Sequence, residues 1–486
     1  MKKNFLRASL ALALVTPVHA AEKDDIARLR QDVAAMKAAY EARIDALEKR
    51  LEAAEAQSKV AQTAAAAAAT AATATAQTTA ATATTGTTAP PAAAVPAAAE
   101  TPAAVANGAP SSDNAFNPAI SLILSGTYTN TQRDPGNYAI AGFPIGNGAE
   151  IGPGDRGFSL AESELGISAN VDPYFRGALN LAMHADNSVS LEEAYIQTLG
   201  LDHGLTAKAG RFFSGIGYLN QQHSHTWDFV DSPLVYQAML GGQFGDDGVE
   251  LRWLAPTDLY LELGGELGRG GNWPGNAAGG NSPGAQALHA HVGGDLGDSS
   301  SWRTGLSYLR TKANALELAT QDASGDSTTS AFTGTTQLVI ADFVWKWAPN
   351  GNATQQNFKL QGEYLWRRQN GQLLYDPSSV ASNGDFRSDQ SGWYLQGVYQ
   401  FMPYWRVGAR TERLSPGTVD YGMNAAYLAA TDYHAHRNSV MFDYSPSEFS
   451  RIRFQYNRDS ARQDQPDDQF FLQYQMSLGA HGAHTF

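Results

Sequence analysis

From about residue 115 onward, apolar and polar side chains alternate. In AESELGISANV, Ala161, Leu165, Ile167, Ala169 and Val171 share one phase, while Glu162, Glu164, Ser168 and Asn170 share the other. LVIADFVWKW sets Val339, Ala341, Phe343, Trp345 and Trp347 against Asp342 and Lys346, and NFKLQGEYLW, SGWYLQGVYQF, YWRVGARTERL and SRIRFQYNRDS repeat the pattern. The last stretch, DDQFFLQYQMSLGAHGAHTF, puts Phe470, Leu472, Tyr474, Met476 and Leu478 opposite Gln473, Gln475 and Ser477. A period of two with one apolar face fits a strand with oil on one side and water on the other. About sixteen such segments fit the region, at roughly 23 residues per strand plus connection, and their aromatic ends suit bilayer interfaces better than a soluble sandwich.

The connections point the same way. NVDPYF, APTDLY, APNGNA, FMPYW and SPSEFS are tight, whereas GNWPGNAAGGNSPGA, ALELATQDASGDSTTSAFTG and SPGTVDYGMNAAYLAATDYHAH are long. Alternating short and long links predict a barrel with two unlike rims, and closure leaves no unpaired edge in lipid. The expected fold is therefore all-β, a transmembrane antiparallel β-barrel of about 16 strands over residues 115–486, with 14 and 18 left open.

What precedes the barrel is different in kind. Residues 1–20, with Lys2, Lys3 and Arg7 before a short apolar run, read as a signal peptide. Over residues 21–58, Ile26, Leu29, Val33, Met36 and Tyr40, then Ile44, Leu47, Leu51 and Ala54, follow alternating three- and four-residue steps. That spacing predicts a periplasmic α-helical coiled coil with one stutter, and a lone amphipathic helix is the alternative. Residues 59–114 are an Ala/Thr/Pro low-complexity linker that cannot bury a core.

Composition narrows the chemistry. A net charge of -14 argues against nucleic acid, and the absence of cysteine removes thiol catalysis and Cys-based zinc sites. The mean hydropathy of -0.32 looks soluble, but alternation hides a barrel's apolar band from any average. No GxSxG, P-loop, Rossmann fingerprint or zincin helix occurs, so no enzyme and no resident cofactor are expected.

Candidate site residues follow from strand phase. Residues 215–246 form a long, aromatic-rich link after the fifth strand, predicted to fold inward as a constriction carrying His223, His225, Trp227, Asp228 and Asp231; an exposed loop contacting neighbouring subunits is the alternative. Glu162, Glu164 and Glu193 on early strands would face Arg406, Arg410, Arg451 and Arg453 on late ones. These charges would either set up a transverse field or form ordinary ion pairs across strands. Three His-X-His pairs, His223/His225, His289/His291 and His434/His436, place two imidazoles on one face if extended. The first two are candidate zinc ligands, with Asp228 as a possible third for the loop pair, although zinc requires three or four ligands.

Certain segments carry a family resemblance. GRFFSGIGYLNQQHSHTWDFVDSPLVYQAMLGGQFGDDGVELRWLAPTD, ADFVWKWAPNG, DYSPSEFSRIRFQYNRD and the closing strand, with FNPAISLILSG, resemble proteobacterial outer-membrane proteins often labelled zinc-regulated TonB-dependent receptors. A coiled coil and a linker stand where such receptors carry their plug, and the architecture is similar to trimeric porins of the DcaP type with an N-terminal coiled coil. The resemblance implies outer-membrane lipid, a homotrimer and the barrel assembly machinery as partners, the last reading Phe486 as its signal. The expected function is diffusion of small hydrophilic solutes, with two rivals: a zinc or other metal uptake channel, and a tether reaching peptidoglycan through the coiled coil.

Overall fold

The structure, a computed structural model, describes residues 118–146 and 149–479. The signal peptide, coiled coil, linker and Phe486 lie outside the described residues. The barrel strands are β1 (Ala119–Thr131), β2 (Gly157–Leu160 and Ser163–Asn170), β3 (Phe175–Met183), β4 (Val189–Thr198), β5 (Leu205–Phe213), β6 (Gly245–Leu254), β7 (Tyr260–Gly268) and β8 (Ala285–Asp295). They continue as β9 (Ser300–Gln321), β10 (Ser327–Trp347), β11 (Asn357–Tyr375), β12 (Ser382–Met402), β13 (Trp405–Asp420), β14 (His436–Ser447), β15 (Ser450–Ser460) and β16 (Asp467–Gly479). Each pairs antiparallel with its sequence neighbours, and β16 closes on β1 from Ser121↔Gly479 to Thr131↔Gln469. This is the expected 16-stranded antiparallel barrel, both ends of which lie on the rim of short turns.

The period-two pattern maps onto the wall. On β16, Phe470, Leu472, Tyr474 and Leu478 point outward and are exposed, while Gln469, Gln473, Gln475 and Ser477 are buried inside. Outward aromatics gather at two levels. Near the short-turn rim lie Trp302, Trp345, Phe358, Trp405 and Tyr444; further along lie Tyr128, Phe158, Tyr364, Trp366, Trp393, Tyr456 and Phe470. Phe358 and Trp366 share β11, and eight residues of strand span about 26 Å, close to the apolar band of an outer-membrane barrel.

The wall is uneven. Strands β9 and β10 run 22 and 21 residues, about twice what a tilted strand needs to cross a bilayer. The stretch ALELATQDASGDSTTSAFTG, expected as a surface loop, is mostly β-hairpin, with only residues 322–326 between the strands. Past Trp366 the outward side chains turn polar: Arg310, Lys312, Gln337 and Arg368 replace Leu306 and Tyr308, and Arg368 pairs with Asp389 at 2.6 Å. The extension therefore stands in water beyond the lipid.

Two links fold into the barrel. Residues 214–244, between β5 and β6, carry helix α1 (Leu234–Leu240), every residue of which is buried. Gly241 ends α1 at φ 69, a left-handed cap that costs glycine little. Ile140, Phe143 and Ile145 of the β1–β2 link pack onto the same cluster as Ile216, Leu234, Tyr236 and Met239, together with inward Leu338, Ile340, Leu365 and Leu414. The lumen thus holds a small hydrophobic core of its own.

Candidate functional site: the loop-narrowed lumen

Cross-strand register assigns the inward faces. From β2 to β11 they carry Glu164, Glu193, Glu250, Glu262, Glu266, Asp342 and Glu363. From β10 to β15 they carry Lys346, Lys359, Arg367, Arg406, Arg410, Arg437, Arg451 and Arg453. Inward Arg176, Lys208, Arg252 and Arg303 lie among the first set and Glu412, Asp443 and Asp459 among the second, so one wall is acid-rich and the other base-rich, and the inward loop is complementary to both.

On the acidic side, His225 Nδ1 lies 2.7 Å from Glu164. His223 Nδ1 is 3.2 Å from both Glu164 and Glu192, and its Nε2 is 3.0 Å from Glu193. Ser224 donates to Glu162. Burial opposes charge on the His223 ring, but Glu164 and the hydrogen bonds to Glu164, Glu192 and Glu193 outweigh it, raising its pKa well above the usual value.

On the basic side, Asp228 pairs with Lys359 and, at 3.2 Å, with Arg406. Asp231 binds Arg410 at 2.6 Å and Arg437 at 2.9 Å, and accepts from Gln455 and Asn457. Burial would raise both carboxyls; Lys359 and Arg406 hold Asp228 well below the usual range, and Arg437 and Arg410 hold Asp231 at about 2. Arg451 and Arg453 donate to the carbonyls of His225 and Trp227, each at 2.8 Å. Glu412 accepts from the Leu234 N–H, and Arg367 donates to Ala238 O at 2.8 Å, fixing both ends of α1.

Every candidate constriction residue thus meets a candidate wall residue. Apart from Arg451, which donates to carbonyl and amide oxygens, the charges are in ion pairs or hydrogen bonds that run between wall and loop as well as between strands. Asp228 belongs to the basic wall through Lys359 and Arg406, not to a metal set with His223 and His225. His289 and His291 face inward as phase required, at 3% and 1% exposure, while Leu288 between β8's inward positions is 62% exposed. His434 and His436 lie on an exposed segment. Sequence reasoning missed Glu192, Lys359 and Arg437; alternation between Phe358 and Leu360 would have found Lys359, whereas Arg437 sits between His436 and Asn438 with no apolar neighbour to mark its phase.

Water access is local. Most inward side chains on β12 to β16 are buried, Arg406 and Arg451 near the short-turn rim being only partly so, whereas Ser168, Arg176, Asn180, Glu193, Gln197 and Lys208 on β2 to β5 stay partly exposed. Toward the short-turn rim the lumen is also partly open around Arg252, Arg303, Lys346, Lys359, Arg406 and Arg451. Among the described residues, Arg176, Arg303, Lys346 and Arg451 have no carboxylate partner, and Lys346 sits directly opposite Lys359, where like charges repel.

These features define a class: a transmembrane antiparallel β-barrel whose lumen is narrowed by its own links. Within that class, the chain belongs to the same family as an uncharacterized protein of Aquifex aeolicus (strain VF5). The two are 33% identical over 402 residues, 78% of this chain and 82% of that one. No protein-family model matches the chain. Among solved structures, it is similar to the outer-membrane channel DcaP of Acinetobacter baumannii (TM-score 0.46, 13% identity, 74% of this chain and 97% of that one). It is also similar to outer-membrane expressed OmpT of Vibrio cholerae (0.45, 10%, 75% and 99%) and to an anion-selective porin from Comamonas acidovorans (0.43, 9%, 74% and 99%).

Proposed function

We propose that the protein is an outer-membrane porin that lets small hydrophilic solutes diffuse across the membrane without chemistry. One observation carries this reading: a lumen narrowed by a docked loop keeps a polar, partly exposed strip along β2 to β5. The cations without carboxylate partners near the short-turn rim favour anionic solutes, because a low-dielectric wall focuses their field into the opening. The rim with the short turns and both barrel ends faces the periplasm, where residues 21–58 as a coiled coil would hold three chains together and residues 59–114 would reach toward peptidoglycan. Assembly machinery would read Phe486. The zinc-receptor label remains a rival through the histidines alone, and the tether reading through the N-terminal region.

The test is planar-bilayer conductance of the signal-cleaved protein in a salt gradient. Stepwise openings in groups of three with a reversal potential of anionic sign support the reading. Absence of conductance in the wild-type protein and in a variant lacking the inward loop would overturn it.

A further inference from the structure

Of the four ring nitrogens of two buried imidazoles in the wall of β8, three have no hydrogen-bond partner. Neither ring nitrogen of His289 makes a hydrogen bond, and His291 Nε2 makes none either. The rings stack at 5.2 Å between centroids, and three carboxylates surround them from β6 and β7. Glu262 Oε1 lies 3.3 Å from His291 Nδ1; Glu266 Oε1 and Glu250 Oε1 lie 3.7 and 4.0 Å from His289. Buried polar atoms left unpaired in a native fold call for an explanation, and an ion is the one this donor set fits.

We propose that Glu262, His289 and His291 bind a divalent transition ion of the zinc class in the barrel wall beneath the inward loop. The site completes the His-X-His pair with the third ligand that the pair lacked. One donor atom from each of the three residues lies within 4.8 Å of the others. Donors on a tetrahedral zinc at about 2.0–2.2 Å are ~3.4 Å apart, so the three donors, all within 4.8 Å, would draw in by at most roughly 1.4 Å on binding. Glu250 or Glu266 supplies the fourth position, or water does. Two imidazoles select zinc, copper or nickel over magnesium or calcium, which take oxygen.

The local backbone makes room for this. A Cβ at Gly264 would sit 2.0 Å from His289 Nε2, and one at Gly215 would sit 2.4 Å from its Cε1. A Cβ at Gly305 would sit 2.4 Å from His291 Cδ2. Glycines on β7, β9 and the loop thus leave a slot for the two rings. Arg252, 3.5 Å from Glu250 and 3.8 Å from Glu262, and Lys208, 3.2 Å from Glu250, balance the acidic charge from one side. The loop pair differs in kind: each ring nitrogen of His223 already lies 3.0–3.2 Å from a carboxylate oxygen, so it leaves none of the unexplained buried nitrogens found in the wall.

The experiment uses the full signal-cleaved protein, without a polyhistidine tag, stripped with chelator and titrated calorimetrically with zinc chloride. The expected result is one ion per chain, with affinity falling more than tenfold in His289→Ala, His291→Ala and Glu262→Gln and unchanged in the His223→Ala/His225→Ala double variant. No saturable binding by the wild-type protein, or binding lost only in the loop variant, overturns the proposal. Should the wall variants fail to fold by heat-modifiability, cobalt chloride on the wild-type protein decides: visible absorption of tetrahedral nitrogen and oxygen ligation supports the site, and its absence refutes it. Conductance of the stripped protein is measured in parallel, so failure of the metal site and failure of the porin reading are separable.

Discussion

Replacing Asp231 with alanine should undock the inward loop from the basic wall while leaving the barrel closed. Its carboxylate is 8% exposed and holds two guanidiniums and two amides, from Arg410, Arg437, Gln455 and Asn457. Removing one partner of a buried ion pair costs about 3–5 kcal/mol, because the remaining charge is left without compensation. Glu412 still holds Arg410 Nε at 2.8 Å and Arg437 Nε at 2.9 Å, which places the cost near the lower figure. About 3 kcal/mol shifts loop docking by roughly 100-fold. The assay is single-channel recording beside thermal unfolding of the β-signal. The expected result is frequent excursions to a larger conductance, with a barrel unfolding midpoint close to that of the wild type. The acid dependence follows the same group. Its folded pKa of about 2 is below the roughly 3.9 of a free aspartate, so its contribution is complete above about pH 4 and lost as pH falls through about 2. Conductance of the wild type should therefore be unaffected by this latch between about pH 4 and 8. If Asp231→Ala matches the wild type in both conductance and substate frequency, the loop is not held by these pairs and the reasoning fails.

Three further outcomes are expected. His223 has a raised pKa, so its contribution to docking is complete below about 6.5 and lost as pH rises through the raised value; conductance should increase in alkali, and His223→Gln should abolish that rise. Lys346→Glu combined with Arg303→Gln should move the reversal potential in a salt gradient toward the cation side, and an unchanged potential would remove these residues from selectivity. Gly264→Ala should displace His289 and cost about 1–3 kcal/mol by overpacking, read as a lower unfolding midpoint; an unchanged midpoint would mean the slot is loose.

The barrel was legible because lipid and water impose opposite demands on alternate residues, and each strand carries that record by itself. Leu288 and His289 could be assigned to faces from phase alone. The hairpin of β9 and β10 was hidden because its upper half meets water on its outer face, so Thr328, Thr329 and Ser330 give no apolar phase and resemble a loop. The inward folding of the β1–β2 link was hidden for a different reason: Ile140, Phe143 and Ile145 are buried by contacts far away in sequence. Glu262 and Glu266 were readable in YLELGGELG, where they alternate with Leu261, Leu263 and Leu267, but their meeting with His289 depends on the register of β7 against β8. Spacing along one strand does not contain that register.

The loop's anchors also constrain the order of assembly. Asp228 waits for Arg406, 178 residues later, and Asp231 waits for Asn457, 226 residues later. Such contacts form only after a long stretch of chain has been threaded, which makes them late events in any folding route. Until β13 to β15 are in place, the loop carries buried-type aspartates and an apolar helix with nothing to hold them. Docking of residues 214–244 is thus a built-in report that the wall is nearly complete, and a barrel stalled before its last strands should be recognisable by protease cleavage within that segment.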